Sequence, residues 1–123
     1  MWRLSYAGVR RDGDIVELVV DRGSEIDLNA LAELRLWLAS SGPRRYALLV
    51  TGSLDFSMQF EAQADIGSEP GLCAIAIVRH SRRSDMIFDT IRSLPRKHAL
   101  RLELFSERER ACQWLREQLQ GQG

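Results

Sequence analysis

The chain has 123 residues, of which 45% are hydrophobic and 28% are charged, and its formal net charge is zero. This length suits one domain with a sizeable core, and the composition is that of an ordinary globular protein. A zero net charge gives no bulk attraction to nucleic acid or to an anionic membrane. We therefore expect a single domain over 1–120 with a frayed tail at 121–123, no nucleic-acid partner and no membrane span.

The N-terminal part of the chain predicts a β-hairpin. Residues 2–10 alternate between apolar and polar side chains, as in one half-exposed strand. Asp12-Gly13 is a turn sequence, because glycine adopts positive φ without steric cost. Ile15–Val20 is the return strand, so the two strands should pair antiparallel.

The next segment predicts a helix followed by a buried strand. Asp27 is a good N-cap for a helix from Leu28 to about Ser40, whose leucines recur at helical spacing. Gly42-Pro43 ends this helix. Residues 46–50 are apolar throughout and predict a strand buried on both faces.

Residues 51–57 form a predicted loop that leads into a second, short helix. Serine is a preferred N-cap, so Ser57 is placed to cap a helix from Met58 to about Ile66. The segment 67–71 contains two glycines and a proline and should close that helix.

The longest uninterrupted apolar run is Leu72–Val78, which is too short for a membrane span and suits a buried strand. A basic segment follows it, and residues 85–94 predict a helix. Alternation over 100–104 predicts an edge strand with one wet face. The S-x-x-E capping box at 106–109 opens a last helix that runs to about Gln120.

The predicted order is therefore β-β-α-β-α-β-α-β-α. Strands that alternate with helices imply parallel strands joined by right-handed crossovers. We expect an α/β fold with a mixed, mostly parallel sheet, an N-terminal antiparallel hairpin and the two all-apolar strands at the centre. Ala74 and Ala76 share one face of the strand at 72–78, which should allow a helix to approach closely there.

Several segments, in this order and spacing, are similar to one bacterial family across nearly the whole chain. They are Glu25–Leu28, Tyr46–Val50, Ala74–Val78, Arg83–Ile87, Leu104–Ser106 and Ala111–Leu115. With them the chain resembles the STAS-like proteins of the SpoIIAA-like fold, which include anti-sigma factor antagonists, and is most similar to a small uncharacterised branch. The resemblance implies the SpoIIAA-like fold and a regulatory, protein-binding role.

The resemblance also bears on Ser57. Antagonists of the sporulation type carry an Asp-Ser-Ser-Gly-like segment, whose serine is phosphorylated, at the start of the helix after the central strand. The matching region here, 53–59, reads SLDFSMQ and lacks that segment. Ser57 stands about where the phosphorylated serine stands, so it is either a phosphoacceptor equivalent or simply a helix cap.

The strongest local feature is the basic segment after the central strand. It contains three arginines, a histidine and two serines, namely Arg79, His80, Ser81, Arg82, Arg83 and Ser84. In parallel α/β sheets, ligands bind beyond the carboxyl ends of the strands, where helix N-termini favour anions. The segment therefore predicts a site for an anion or an acidic partner surface, the alternative being a solvated loop whose arginines pair with nearby carboxylates.

No pattern in the sequence predicts catalysis, a metal site or a cofactor. The phosphate-binding motifs GxGxxG and GxxxxGK[ST] do not occur. No known motif places a serine with a histidine and an acidic residue as a catalytic triad would require. His80 and His98 have no metal spacing with Cys73 or Cys112, which we expect to be free thiols of a cytoplasmic protein.

These observations favour a non-enzymatic regulatory module that binds a protein partner through the loops at 51–58 and 79–85. The alternative is a small-anion or lipid-headgroup binding protein that uses the arginine-rich segment at a helix N-terminus. Homodimerisation through the edge of the first strand is a further expectation, since unpaired backbone groups there can pair with a second copy.

Overall fold

The computed structural model of the chain describes residues 2–52, 57–65, 71–78, 89 and 101–121. The strands are β1 (Trp2–Arg3), β2 (Ala7–Asp12), β3 (Ile15–Val20), β4 (Glu25–Ile26), β5 (Tyr46–Gly52), β6 (Ser57–Met58), β7 (Leu72–Val78) and β8 (Leu102–Phe105). The helices are α1 (Leu28–Ser41), α2 (Phe60–Asp65) and α3 (Arg108–Gly121). Within the described residues, one sheet has the order β1-β2-β3-β5-β7-β8, and β4 pairs with β6.

The sheet is mixed and mostly parallel. β2 and β3 form an antiparallel hairpin, while β3, β5, β7 and β8 run parallel to one another. The all-apolar strands β5 and β7 lie side by side in the middle of the sheet, and β8 lies at its end. The predicted α/β fold with an N-terminal hairpin is confirmed.

The predicted first strand is divided in two, so that prediction is wrong in detail. β2 begins only at Ala7, and the N–H of Leu4 donates to the carbonyl of Ala7 at 2.8 Å, which turns the chain back on β1. The turn buries Leu4 and Tyr6, and the Tyr6 hydroxyl donates to the Ala30 carbonyl of α1. Packing against a distant helix thus breaks an alternation that suits one straight strand.

Helix α1 agrees with the prediction to within one residue. The Asp27 side chain accepts a hydrogen bond from the N–H of Ala30 at 2.8 Å, as an N-cap should. At the other end, the N–H of Gly42 donates to the Leu38 carbonyl. The buried residues of α1 are Ala30, Leu31, Leu34 and Trp37, and they belong to one hydrophobic cluster with Ile75 and Ile77 of β7.

The opposite face of the sheet is covered by α3. Ala74 and Ala76 are fully buried in a second cluster with Ala111 and Leu115 of this helix. Successive residues of a strand point to opposite faces, so β7 supplies both layers of the core. The close approach of a helix to the two alanines is confirmed.

The placement of Ser57 corrects the predicted second helix. Ser57 lies in β6, where it is the register partner of Glu25 in β4, and α2 begins only at Phe60. The Ser57 N–H donates to the Ser24 carbonyl at 2.9 Å. Ser57 therefore does not cap α2, because its backbone pairs with β4.

The remaining predicted elements differ in how much of them is described. α3 begins at Arg108, one residue later than the capping box indicates. The predicted helix at 85–94 lies outside the described residues except for Asp89, whose backbone is helical.

Candidate functional site

The parallel strands β3, β5, β7 and β8 have their carboxyl ends at the same edge of the sheet. Val20, Gly52, Val78 and Phe105 are the last residues of β3, β5, β7 and β8. Both predicted binding loops begin at this edge, the usual ligand position in α/β folds. The predicted site residues Arg79, His80, Ser81, Arg82, Arg83 and Ser84 lie outside the described residues, so that site stays a prediction.

The start of the first loop is packed rather than presented to solvent. Thr51 is buried. Gly52 has a φ of 101°, and a Cβ atom added to Gly52 would lie 2.6 Å from the carbonyl oxygen of Val20. Ser57, by contrast, is exposed. Within the described part of this loop, the outer end is therefore the part that a partner can reach.

Within the described residues, a cluster of charged side chains surrounds Glu17. We did not predict this cluster from the sequence. Glu17 is only 4% exposed, although it carries the one charge in the strand Ile15–Val20. It faces the α3 side of the sheet, since Val16 and Leu18 belong to the α1 cluster. A buried carboxylate needs partners, because an unpaired charge inside a protein is strongly unfavourable.

Three side chains from three elements supply those partners. Arg10 in β2 donates from Nε to Oε1 at 2.8 Å, and Arg108 at the start of α3 donates from Nη2 to the same oxygen at 2.6 Å. The Thr51 hydroxyl in β5 donates to Oε2 at 2.8 Å. Both arginines remain half exposed and reach the carboxylate from solvent. Glu17 therefore connects the hairpin, the central sheet and α3.

These contacts determine what Glu17 can do chemically. Burial by itself raises the pKa of Glu17, but hydrogen bonds from Arg108, Arg10 and Thr51 outweigh it and lower the pKa to about 2. A general acid or base works best with a pKa near the working pH. Glu17 is therefore an ionised structural anchor at neutral pH and is poorly suited to proton transfer.

Part of this cluster was open to prediction from the sequence. The turn at Asp12-Gly13 sets the hairpin register, in which Arg10 is the partner of Glu17. A lone glutamate in an apolar strand, opposite an arginine, is a signal for a buried ion pair. Arg108 carries no such signal, because it is 91 residues away in the chain.

The surface around Ser57 is acidic. Gln59 donates from Nε2 to the carboxylate of Glu25, the register neighbour of Ser57, at 3.0 Å. An open groove of about 480 Å³ adjoins this segment and is lined by Asp27, Leu28, Asn29, Gln59 and Glu61. Backbone hydrogen bonds from Ser57 and Gln59 to the β4 segment hold this chain in place, while the side chains of both residues are exposed. Its carboxylates suit basic or hydrogen-bonding groups on a partner.

The described part of the chain shows no metal site and no membrane-spanning helix. No three His, Cys, Asp or Glu side chains there come together in a way that could hold a metal ion. Cys73 in β7 and Cys112 in α3 are both free thiols. No described helix is long and apolar enough to cross a membrane.

These elements define an α/β protein with helices on both faces of a mixed sheet and a charged cluster near its carboxyl edge. No family model matches the sequence, and no curated protein matches it. The chain is similar to a solved structure, that of an uncharacterized protein from the DUF3478 family with a SpoIIAA-like fold, from Shewanella loihica PV-4. The two are 12% identical, the similarity covers 94% of this chain and 98% of that one, and the TM-score is 0.48.

Proposed function

We propose that this chain is a non-enzymatic regulatory module of the bacterial cytoplasm that binds a protein partner through the loops at 51–58 and 79–85. The observation that carries the proposal is the exposed segment at Ser57, whose backbone is held by β4. An exposed polar segment whose backbone is already hydrogen-bonded within the fold loses less conformational entropy on binding, and this favours recognition of another protein surface.

The chemistry of Glu17 also supports a binding role. Its carboxylate is taken up by two arginines and a threonine hydroxyl, and its low pKa keeps it ionised at neutral pH. The strongest charge cluster in the described residues is thus used to hold three elements together. It ties α3 and the hairpin to the sheet close to the strand ends from which the two loops leave.

The charges of the two loops indicate the kind of partner. Glu25 and Glu61 lie beside the Ser57 segment, whereas the sequence of the second loop supplies Arg79, Arg82 and Arg83. A complementary partner presents basic groups to the first loop and carboxylates to the second. Such complementarity mainly increases the association rate and the specificity, and it weakens with salt.

Site-specific photo-crosslinking in the source cells tests this proposal. A photoreactive amino acid replaces Ser57 in one variant, Arg82 in a second and the exposed α3 residue Gln113 in a matched control. We expect one and the same protein to be crosslinked from positions 57 and 82 but not from 113. The crosslink from position 57 should be lost when Arg82→Glu and Arg83→Glu are added.

Two results would contradict the proposal. One is equal crosslinking from all three positions, which indicates random collisions. The other is no crosslink at all together with a higher melting temperature in inorganic phosphate or with anionic lipid vesicles. That second result favours the small-anion or lipid-headgroup alternative, since a ligand at 100 times its Kd stabilises the folded state by roughly 2.7 kcal/mol.

A further inference from the structure

Helix α1 is apolar on its outer face as well as on its buried face. Leu28 is 48% exposed and Leu36 is 73% exposed, and the exposed alanines Ala32 and Ala39 lie between and beyond them. These four residues follow one another at intervals of four, four and three, so they form a single stripe along the helix. We call this stripe the outer stripe of α1.

The polar groups of α1 do not interrupt the outer stripe. Its two charged residues are held on the flanks: Glu33 accepts hydrogen bonds from the backbone N–H and the hydroxyl of Ser5, and Arg35 pairs with Asp65 of α2 at 2.6 Å. The Ser40 hydroxyl donates back to the Leu36 carbonyl at 3.0 Å. Both charged residues of α1 therefore already have partners within the chain.

The order of side chains along the outer stripe is self-complementary. It reads Leu28, Ala32, Leu36, Ala39, which is large, small, large, small. When two copies of α1 lie antiparallel about a twofold axis that crosses the outer stripe at the height of residue 34, each Leu28 faces the other copy's Ala39, and each Leu36 faces the other copy's Ala32. Large residues opposite small ones let helices pack closely, and the antiparallel helix dipoles attract each other.

The two ends of the stripe fit each other in shape and charge. Ala39 lines a cavity of about 400 Å³ together with Leu38, Pro43 and Arg44. At the other end, Leu28 lies in the groove that also contains Glu61. In an antiparallel pair, Leu28 of each copy would face the other copy's cavity, and Glu61 would lie on the same side as the other copy's exposed Arg44.

We propose that the chain forms an antiparallel homodimer through the outer stripe of α1, with a second copy as its occupant. This interface is centred on α1 and not on the loops of the proposed function, although its Leu28 end shares Glu61 with the groove beside Ser57. It differs from the edge-strand pairing that the sequence alone indicated. A helix of this length is about 21 Å long, and the pair buries less than the roughly 800 Å² per partner of a standard interface. The dimer is therefore reversible and depends on concentration.

Sedimentation velocity of the full chain from about 5 µM to about 1 mM tests the dimer. We expect the mean mass to rise from 14.0 kDa to twice that value. Leu36→Glu should stay monomeric with an unchanged melting temperature, because the side chain is exposed. Gln113→Glu, which adds the same charge on exposed α3 surface, should dimerise like the wild type.

Cysteine crosslinking then tests the orientation, in a background with Cys73→Ser and Cys112→Ala. A mixture of Leu28→Cys and Ala39→Cys chains should form a mixed disulfide. Either variant alone should not, since two copies of position 28 lie about 16 Å apart in this arrangement and a disulfide needs Cα atoms within about 7 Å. A charge swap, Glu61→Arg with Arg44→Glu, should dimerise better than either single variant.

Three results would overturn the proposal: a monomer at every concentration, a Leu36→Glu chain that dimerises as well as the wild type, or homotypic crosslinks as strong as the mixed one. None of them bears on partner binding, because the Ser57 photo-crosslink is measured separately. If Leu36→Glu keeps that crosslink, the two surfaces act independently.

Discussion

Arg108 and Glu17 are separated by 91 residues in the sequence, and their side chains meet at 2.6 Å. The contact joins the first residue of α3 to the middle of β3. Because Arg10 and Thr51 bind the same carboxylate, one buried charge holds the hairpin, the central sheet and the last helix together. The stability of this edge of the sheet should therefore depend on a few polar side chains.

Removing Arg108 should weaken the fold more than removing a neighbouring arginine. In Arg108→Met the apolar stem is kept but Glu17 loses one charged donor, and we expect the free energy of unfolding to fall by about 1–2 kcal/mol. Arg110→Met is the matched control. Arg110 is 79% exposed and pairs with the likewise exposed Glu107, so its loss should change stability by less than about 0.5 kcal/mol. Urea unfolding at neutral pH measures both, and equal effects would contradict the anchoring role of Glu17.

Glu17 should also make stability depend on pH in the acid range. Its folded-state pKa of about 2 lies below the ordinary value of 4.5, so the ionised form stabilises the fold above about pH 4.5 and that contribution is lost as the pH falls towards 2. The arginines are half exposed and solvent screens them, so we expect about 2 kcal/mol at pH 6.

A comparison with Glu17→Gln isolates this contribution. The variant should be less stable than the wild type at pH 6, and the difference should shrink as the pH falls below 4.5 and vanish only below about pH 2. Glu103→Gln, at an exposed position of β8, serves as the control for general charge effects. A constant difference between Glu17→Gln and the wild type from pH 6 to pH 2.5, measured by urea unfolding, would show that the cause is packing and not ionisation.

Two glycines with similar backbone angles should respond differently to alanine. Gly71 has a φ of +85°, and a Cβ atom there would lie 2.0 Å from the Arg44 carbonyl oxygen. Gly23 has a φ of +76° and open space around it. We expect Gly23→Ala to cost about 1 kcal/mol from the backbone angle alone, and Gly71→Ala to cost at least about 2 kcal/mol more. Thermal unfolding of both variants checks this. Equal losses of stability would mean that the backbone near Arg44 can move away from the added Cβ atom with little loss of free energy.

A negative charge at position 57 should be mildly unfavourable. Ser57 is beside Glu25 on the neighbouring strand and does not lie at a helix N-terminus, where a phosphate gains from the helix dipole. Ser57→Asp should lower the free energy of unfolding by about 0.5 kcal/mol, and adding Glu25→Gln should recover most of it. A double-mutant cycle at low salt measures the coupling. If the coupling is zero, the two side chains do not interact, and Glu25 would not oppose a phosphate at Ser57.

Much of the fold was predictable because its signals are local. An uninterrupted apolar run marks β7, the Asp27 cap and leucine spacing mark α1, and Asp12-Gly13 marks the hairpin turn. Each of these depends on residues within a few positions of one another, so one sequence is enough to read them. The same turn even sets Arg10 opposite Glu17.

The tertiary structure decided what depends on distant partners. Ser57 belongs to a strand and not to a helix cap because β4 pairs with it, and the first strand breaks because Tyr6 reaches the Ala30 carbonyl. Arg108 becomes a partner of Glu17 only once α3 has packed on the sheet. Whether an apolar helix residue is buried or exposed is decided in the same way, since periodicity places Leu36 on a face and only packing leaves that face open.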